Sequence, residues 1–241
     1  MNSKRPANKA ELEEMIESIY SALKEKGIII GSHIKSIHGV CDRAFDNIEA
    51  DILAVADKEF AVLDNSAEEK MKNEILAAAE VGDSVGGTIE TAVCGLPAGV
   101  GEPWFDTLEG CLSHALFSIP AIKGVEFGAG FGFAHMYGSE ANDSFCYDGD
   151  LVKTKTNNNA GINGGITNGM PVVFRCVVKP TPTIFKAQET VDLAKKSNAV
   201  ISPKGRHDPC IVHRARVVVD SVAAIAVCDL LAAKFGSDWL A

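Results

Sequence analysis

Pro171-Val172-Val173-Phe174-Arg175-Cys176-Val177-Val178-Lys179 carries two sets of side chains at a spacing of two. Val172, Phe174, Cys176 and Val178 form one set, and Val173, Arg175 and Val177 the other. Successive side chains of an extended backbone point to opposite faces, so the run predicts a strand with one wholly apolar face. C-terminal to it, residues 211–235 (IVHRARVVVDSVAAIAVCDLLAAKF) predict a helix that is apolar nearly all round from Val217 to Leu231. Such a helix belongs in a layered core or at an interface between subunits. N-terminal to it, residues 88–94 alternate in the same way. Ile89, Thr91 and Val93 share a face, which predicts a half-buried strand.

Three further helices follow from apolar residues recurring at three and four. Asn8 to Lys26 places Leu12, Met15, Ile16, Ile19, Tyr20 and Leu23 on one stripe, with Asn8 and Glu11 as a capping box and Gly27 as a stop. A short strand, Ile28 to Ile30, comes next. The second helix opens near Ser66 with Glu69 completing its box, buries Met71, Ile75 and Leu76, and ends at Val81-Gly82. The third opens at Asp106 with Glu109 and carries Leu108, Cys111, Leu112, Ala115 and Leu116 inward. Strands and helices mix without a regular βαβ alternation, so the class is α+β. No Pro- or Ser-rich linker interrupts the chain, and residues 1–241 read as one domain.

Composition narrows the function. With 46% hydrophobic and 23% charged residues, the chain is neither disordered nor extended. No apolar run reaches the ~18 residues of a membrane span, and residues 1–17 have no secretory pattern, which points to the cytosol. Seven cysteines, none closer than Cys94 and Cys111, argue against a disulfide framework or a zinc site and for buried thiols. The net charge of −9 disfavours nucleic acid as a partner. That charge is uneven: residues 1–90 hold 18 acids and 10 bases, whereas Lys195 to Arg216 hold six bases against Asp208 alone. Such a cluster is either a solvated face, the commoner meaning of a charge run, or a pocket for a multiply charged anion.

Four segments stand out: Gly82 to Gly87 (GDSVGG), Leu96 to Pro103 (LPAGVGEP), Asn158 to Gly169 (NNAGINGGITNG), and Lys179 to Thr183 (KPTPT) taken with Lys204 to Pro209 (KGRHDP). None is a P-loop or a dinucleotide fingerprint; Gly128-x-Gly130-x-Gly132 has the wrong spacing. The 158–169 loop could offer backbone N–H groups to an anion or flat ring, or could be a plain array of turns. Asp208 could be catalytic or a helix N-cap, and His207 catalytic or a surface histidine. Pro209 suits a first helical turn. His33 and His38, an odd spacing apart, fall on opposite faces of an extended segment and do not form a metal site. These two, with His114 and His135, read as structural.

Taken together, GDSVGG, the run from Leu96 to Gly132 (LPAGVGEPWFDTLEGCLSHALFSIPAIKGVEFGAGFG), Asn158 to Gly169, Lys179 to Ile184 and Gly205 to Cys210 (GRHDPC) closely resemble chorismate synthase. The resemblance implies a lyase that converts 5-enolpyruvylshikimate 3-phosphate to chorismate by 1,4-elimination of phosphate and a ring proton, with reduced FMN as cofactor. It implies a helical layer between antiparallel sheets, assembled as a homotetramer. By resemblance, the flavin contacts are Pro120, Ala121, Gly164, Lys179, Pro180, Thr181, Pro182, Thr183 and Arg206. Asp208 falls on the family's proton-relay aspartate beside the flavin N5, and no metal is implied.

The family's Gly-Glu-Ser-His-Gly, Arg-Pro-Gly, Gly-His-Ala-Asp and Arg-Ser-Ser-Ala-Arg-Glu-Thr segments have no counterpart in these residues. The expectation is a chain shortened at its N-terminus relative to the family. An alternative is an impaired remnant, or one half of a split enzyme, that binds flavin or acts as a scaffold. His213 stands where the family usually has proline.

Overall fold

Strand 171–179 forms as expected, as β9 of a chain whose computed structural model describes residues 9–205 and 207–239. The helices are α1 (Lys9–Glu25), α2 (Ile48–Val55), α3 (Asn65–Glu80), α4 (Leu108–Phe117), α5 (Gly138–Ala141) and α6 (Val212–Phe235). The strands are β1 (Ile29–Ile37), β2 (Val40–Cys41), β3 (Gly87–Cys94), β4 (Ile122–Phe127), β5 (Phe145–Asp148), β6 (Leu151–Thr154), β7 (Ile162–Asn163), β8 (Ile166–Thr167), β9 (Val172–Val178), β10 (Gln188–Asp192) and β11 (Ser197–Ile201). Five of them make one sheet in the order β2-β1-β3-β9-β4, every pairing antiparallel. The pairs β5–β6, β7–β8 and β10–β11 are two-stranded ribbons.

The apolar sets decide the layers. Val172, Phe174, Cys176 and Val178 of β9 and Ile89, Thr91 and Val93 of β3 are buried beneath the helical layer. There α6 crosses β1 and β3, α4 packs on β4 and α6, and α1 packs on α6. The opposite face of the sheet carries α2, whose Ile52 packs with Ala92 and Cys94. Gly31 permits this approach, since a Cβ there would lie 2.4 Å from Ile52 Cγ2. β3 is therefore buried on both faces rather than half-buried, with Glu90, Ala92 and Cys94 enclosed as well.

The helical layer also encloses polar groups. Asp220 of α6 accepts a hydrogen bond from Ser32 Oγ, which lies 2.7 Å from Thr91 Oγ1. Arg216 Nη1 stands 3.6 Å from Asp220 Oδ2. Burial pushes the Asp220 carboxyl up to about 6.

Several expected boundaries move. The strand read as Ile28 to Ile30 runs to Ile37, because Ser32, His33 and Lys35, which break its apolar pattern, find buried or half-buried polar partners. Asp64, not Ser66, caps α3 by accepting from Ser66 N, and Thr107, not Asp106, caps α4 by accepting from Gly110 N. Leu76 is 60% exposed instead of buried. Asn8 of the expected first capping box lies outside the described residues. Among the described residues, no helix is long and apolar enough to cross a membrane.

Candidate functional site

The end of β9 collects four stretches of sequence. Lys179 N donates to Ala121 O at 2.9 Å, so the Pro120-Ala121 turn between α4 and β4 lies beside Lys179. Ala121 holds φ +75°, an uncommon conformation for a residue with a Cβ, of the kind retained where surrounding structure over-determines it. The following Pro180-Thr181 turn sits on the 82–87 loop. Ser84 Oγ donates to Thr181 O at 2.7 Å, and a Cβ on Gly86 would lie 2.4 Å from Val178 O and 2.9 Å from Pro180 Cδ. Only glycine allows the two segments this close. Thr181 Oγ1 in turn donates to Asp208 O at 2.7 Å, and Val85 N donates to Pro209 O at 2.8 Å.

Pro120, Ala121, Lys179, Pro180, Thr181 and Asp208 are therefore brought together, with Pro182 and Thr183 continuing the same exposed turn. Arg206 lies outside the described residues. Gly164 is elsewhere: its neighbour Gly165 accepts from Leu108 N at 2.9 Å, at the start of α4, whereas Ala121 follows the end of that helix. The ten residues of α4 separate the two by about 15 Å. Within the 158–169 loop, Asp143 takes the backbone N–H groups of Asn158 and Asn159, both at 2.8 Å, so these amides face a carboxylate.

The electrostatics sort the six-base cluster. Arg214 Nη2 pairs with Asp208 Oδ2 at 2.7 Å, Lys195 with Asp192 at 3.3 Å, and Arg216 turns inward to Asp220. Lys179 Nζ has no hydrogen bond or ion pair among the described residues. His207 stands edge-on to Phe185, ring centroids 4.1 Å apart, and both its ring nitrogens are buried without a partner among the described residues. Burial pushes the thiols of Cys94 and Cys176 up to about 11 and about 12, which makes them poor nucleophiles; Cys41, expected inside, is exposed.

A second constellation lies on the outer face of the sheet. His33 Nδ1 is 2.8 Å from Asp42 Oδ2 and its Nε2 is 2.9 Å from Glu90 Oε2, all three side chains buried. Burial opposes a charged imidazole, but the hydrogen bonds to Asp42 and Glu90 override it and hold His33 above its ordinary pKa. Asp42 and Glu90 are held low in return, against their own burial, by His33 and by the Leu63 and Asp64 N–H groups on Asp42 and Lys35 near Glu90. Arg175 continues the row to Glu126 at 2.7 Å. His38 is apart from this, paired with Glu74 at the surface. Sequence reasoning missed Asp42, Glu90, Glu126 and Asp143, and read Arg214 only as one base of the Lys195 to Arg216 cluster. A charge at the centre of an apolar strand, as at Glu90 and Arg175, is the signal that could have found the row.

A family model for chorismate synthase matches residues 18–232. The chain belongs to the chorismate synthase family. Chorismate synthase of Thermococcus gammatolerans is 49% identical over 168 residues, covering 70% of this chain and 47% of that protein. Chorismate synthase of Methanosarcina mazei is 43% identical over 213 residues, covering 86% of this chain and 56% of the other. A crystal structure of chorismate synthase superposes with a TM-score of 0.75 at 31% identity, over 92% of this chain and 62% of that one. The chain thus spans about half the length of the curated relatives it matches. Its α+β fold, with a helical layer on an antiparallel sheet, is that of a chorismate synthase neighbour.

Proposed function

We propose that this chain works as a chorismate synthase, a lyase that eliminates phosphate and a ring proton from 5-enolpyruvylshikimate 3-phosphate in a 1,4 sense, with reduced FMN bound at the end of β9. The observation that carries the reading is the convergence of Lys179, Thr181 and Asp208 in a chain of this family. The residues fit a flat anionic cofactor. Lys179 offers an ammonium with no acid beside it among the described residues, the Pro180 and Pro182 turn is rigid, and Gly86 keeps the wall thin. Reduced flavin, when bound, lends electron density that helps the carbon–oxygen bond to phosphate break, with no net oxidation.

The chain's own residues then have separate tasks. Lys179 and Arg206 bind and orient anionic groups, and hydrogen bonds to such charges contribute about 1.5–3 kcal/mol each. The backbone of Ala121 and the hydroxyls of Thr181 and Thr183 shape the ring-binding turn. Asp208 relays the proton that the substrate ring loses, and Gly164 contributes from the far end of α4. We further infer that the chain acts as one unit in the cytosol and assembles as a homotetramer.

The test is anaerobic titration of the whole chain with dithionite-reduced FMN, followed by 5-enolpyruvylshikimate 3-phosphate while chorismate absorbance is recorded. The expected result is saturable flavin binding and chorismate formation. Asp208→Asn should keep flavin binding and lose turnover by about 10²–10⁴-fold. Lys179→Ala should weaken flavin binding about tenfold or more. Absence of flavin binding at millimolar FMN overturns the proposal.

A further inference from the structure

We propose that Arg214 is the positioning residue for Asp208, fixing the orientation and charge of its carboxylate. The inference rests on the reading of Asp208 given above, and it concerns a residue outside the GRHDPC segment.

Arg214 stands in the first turn of α6, which holds no acidic side chain, and Ile211 before it supplies no side-chain cap. A cation at a helix N-terminus faces the positive end of the helix dipole and is disfavoured there by its own helix. The Asp208 carboxylate, Oδ2 at 2.7 Å from Arg214 Nη2, supplies the missing negative charge. The pairing compensates a cation that its own helix disfavours.

The backbone on the other side of Asp208 is already held. Its carbonyl accepts from Thr181 Oγ1 at 2.7 Å, and the next carbonyl, Pro209 O, accepts from Val85 N at 2.8 Å. Pro209 itself has a locked φ. With the main chain anchored to β9's turn and to the 82–87 loop, the remaining freedom of Asp208 is rotation of its side chain. Arg214 acts on that rotation.

Among the described residues, the neighbouring titratable groups of the cluster do not take this role. His213, next to Arg214 on α6, is held below its ordinary pKa by burial and by Arg214, so it is neutral at pH 7. Arg216 and Lys195 are engaged by Asp220 and Asp192. Lys179 lies across the Thr181 turn, and Arg206 lies outside the described residues. Among the described cations of the cluster, Arg214 is the one paired with Asp208.

The experiment is a pH titration of the Asp208 side-chain carboxyl by ¹³C NMR in the whole chain labelled at aspartate, its resonance assigned with Asp208→Asn. The parent is compared with R214M and R214K, each also titrated with FMN by fluorescence quenching. The pair is 39% and 55% exposed, so the fold is retained in both variants. Losing an exposed partner raises the Asp208 midpoint by about 0.3–0.7 pH unit in R214M, and R214K recovers part of the shift. A midpoint that does not move in R214M overturns the inference. A midpoint that moves in a chain that does not bind FMN leaves Arg214 in this role and removes the flavin reading instead.

Discussion

His33 on β1 and Glu90 on β3 stand directly opposite one another, with Nε2 2.9 Å from Oε2 and neither side chain open to solvent. Glu90 is in turn opposite Arg175 on β9, and Arg175 opposite Glu126 on β4. With His33 protonated, four charges of alternating sign cross four adjacent strands in one row. Cross-strand pairs are the unit of sheet stabilisation, and each charge here has its compensation already in register. Asp42 closes the row beyond His33 and accepts from Leu63 N at 2.7 Å and Asp64 N at 3.0 Å, tying the chain ahead of α3 to the sheet.

His33→Leu leaves two buried carboxylates short of a partner. Breaking a buried pair from one side costs about 3–5 kcal/mol, reduced here because Asp42 and Glu90 keep other donors. A loss of about 2–3 kcal/mol is expected, which for a chain of this size lowers Tm by about 4–12 °C. The dependence on pH follows from the directions. His33 is raised in the folded state, so its contribution is full below its unfolded value near 6.5 and is lost as pH rises through the folded one. Thermal unfolding of parent and variant at a series of pH values above 6.5 should show the gap between them narrowing as pH rises; a gap that never narrows would count against a charged His33.

Glu90 is shared, so its two partners are not independent. His33→Gln and Arg175→Met should be non-additive, with a coupling of about 0.5–3 kcal/mol in a double-mutant cycle by urea denaturation. A sum within about 0.5 kcal/mol would show that the row behaves as separate pairs.

Asp220 has the same sign of dependence, from a different cause. Its carboxyl is raised to about 6 from 3.8 by burial, over the opposing Ser32 hydrogen bond and Arg216 charge. The folded state therefore holds the proton more tightly, and stability is lost as pH rises from the unfolded value through about 6. A displacement of about two units corresponds to about 3 kcal/mol. Asp220→Asn has no such penalty and should gain on the parent between pH 4 and pH 6 in urea midpoints. A constant difference over that range would count against the buried proton.

Gly86→Ala tests the wall of the candidate site. Its Cβ meets the backbone oxygen of Val178 and the ring of Pro180, neither a flexible chain end. Overpacking of this kind costs about 1–3 kcal/mol, and relief comes by shifting the Lys179-Pro180 turn. The expected outcome is a lower Tm together with weaker FMN quenching, both measured on the same sample. A lowered Tm with unchanged flavin affinity would detach the turn from the cofactor.

Helices α1, α3, α4 and α6 and strands β3 and β9 are legible because their signals are local, whereas the short α2 and α5 carry no such signal. The apolar set of β9 is a period of two, that of α4 recurs at three and four, and Leu108, Leu112 and Leu116 are all fully buried. β1 is longer than its apolar pattern suggests, because a strand that buries Ser32 and His33 does not look like one until their partners are known. Leu76 shares the periodicity of the buried Met71, yet it lies 60% exposed at the edge of the apolar stripe. Of the site, the motif residues were visible as motifs, but their convergence was not. Asp143, which turns the amides of Asn158 and Asn159 away from a ligand role, lies outside the motif altogether.

By itself the sequence determined the α+β class, the placing of α1, α3, α4 and α6 to within a turn, and the motif segments that resemble one family. These depend on spacings of a few residues, and backbone geometry converts such spacings directly into faces. Tertiary structure alone decided that Glu90 meets His33, 57 positions away, and Arg175, 85 positions away, that Thr181 reaches Asp208, and that α4 separates Gly164 from Ala121. Strand register and loop packing are set by the burial of the whole core at once, a quantity no local stretch contains.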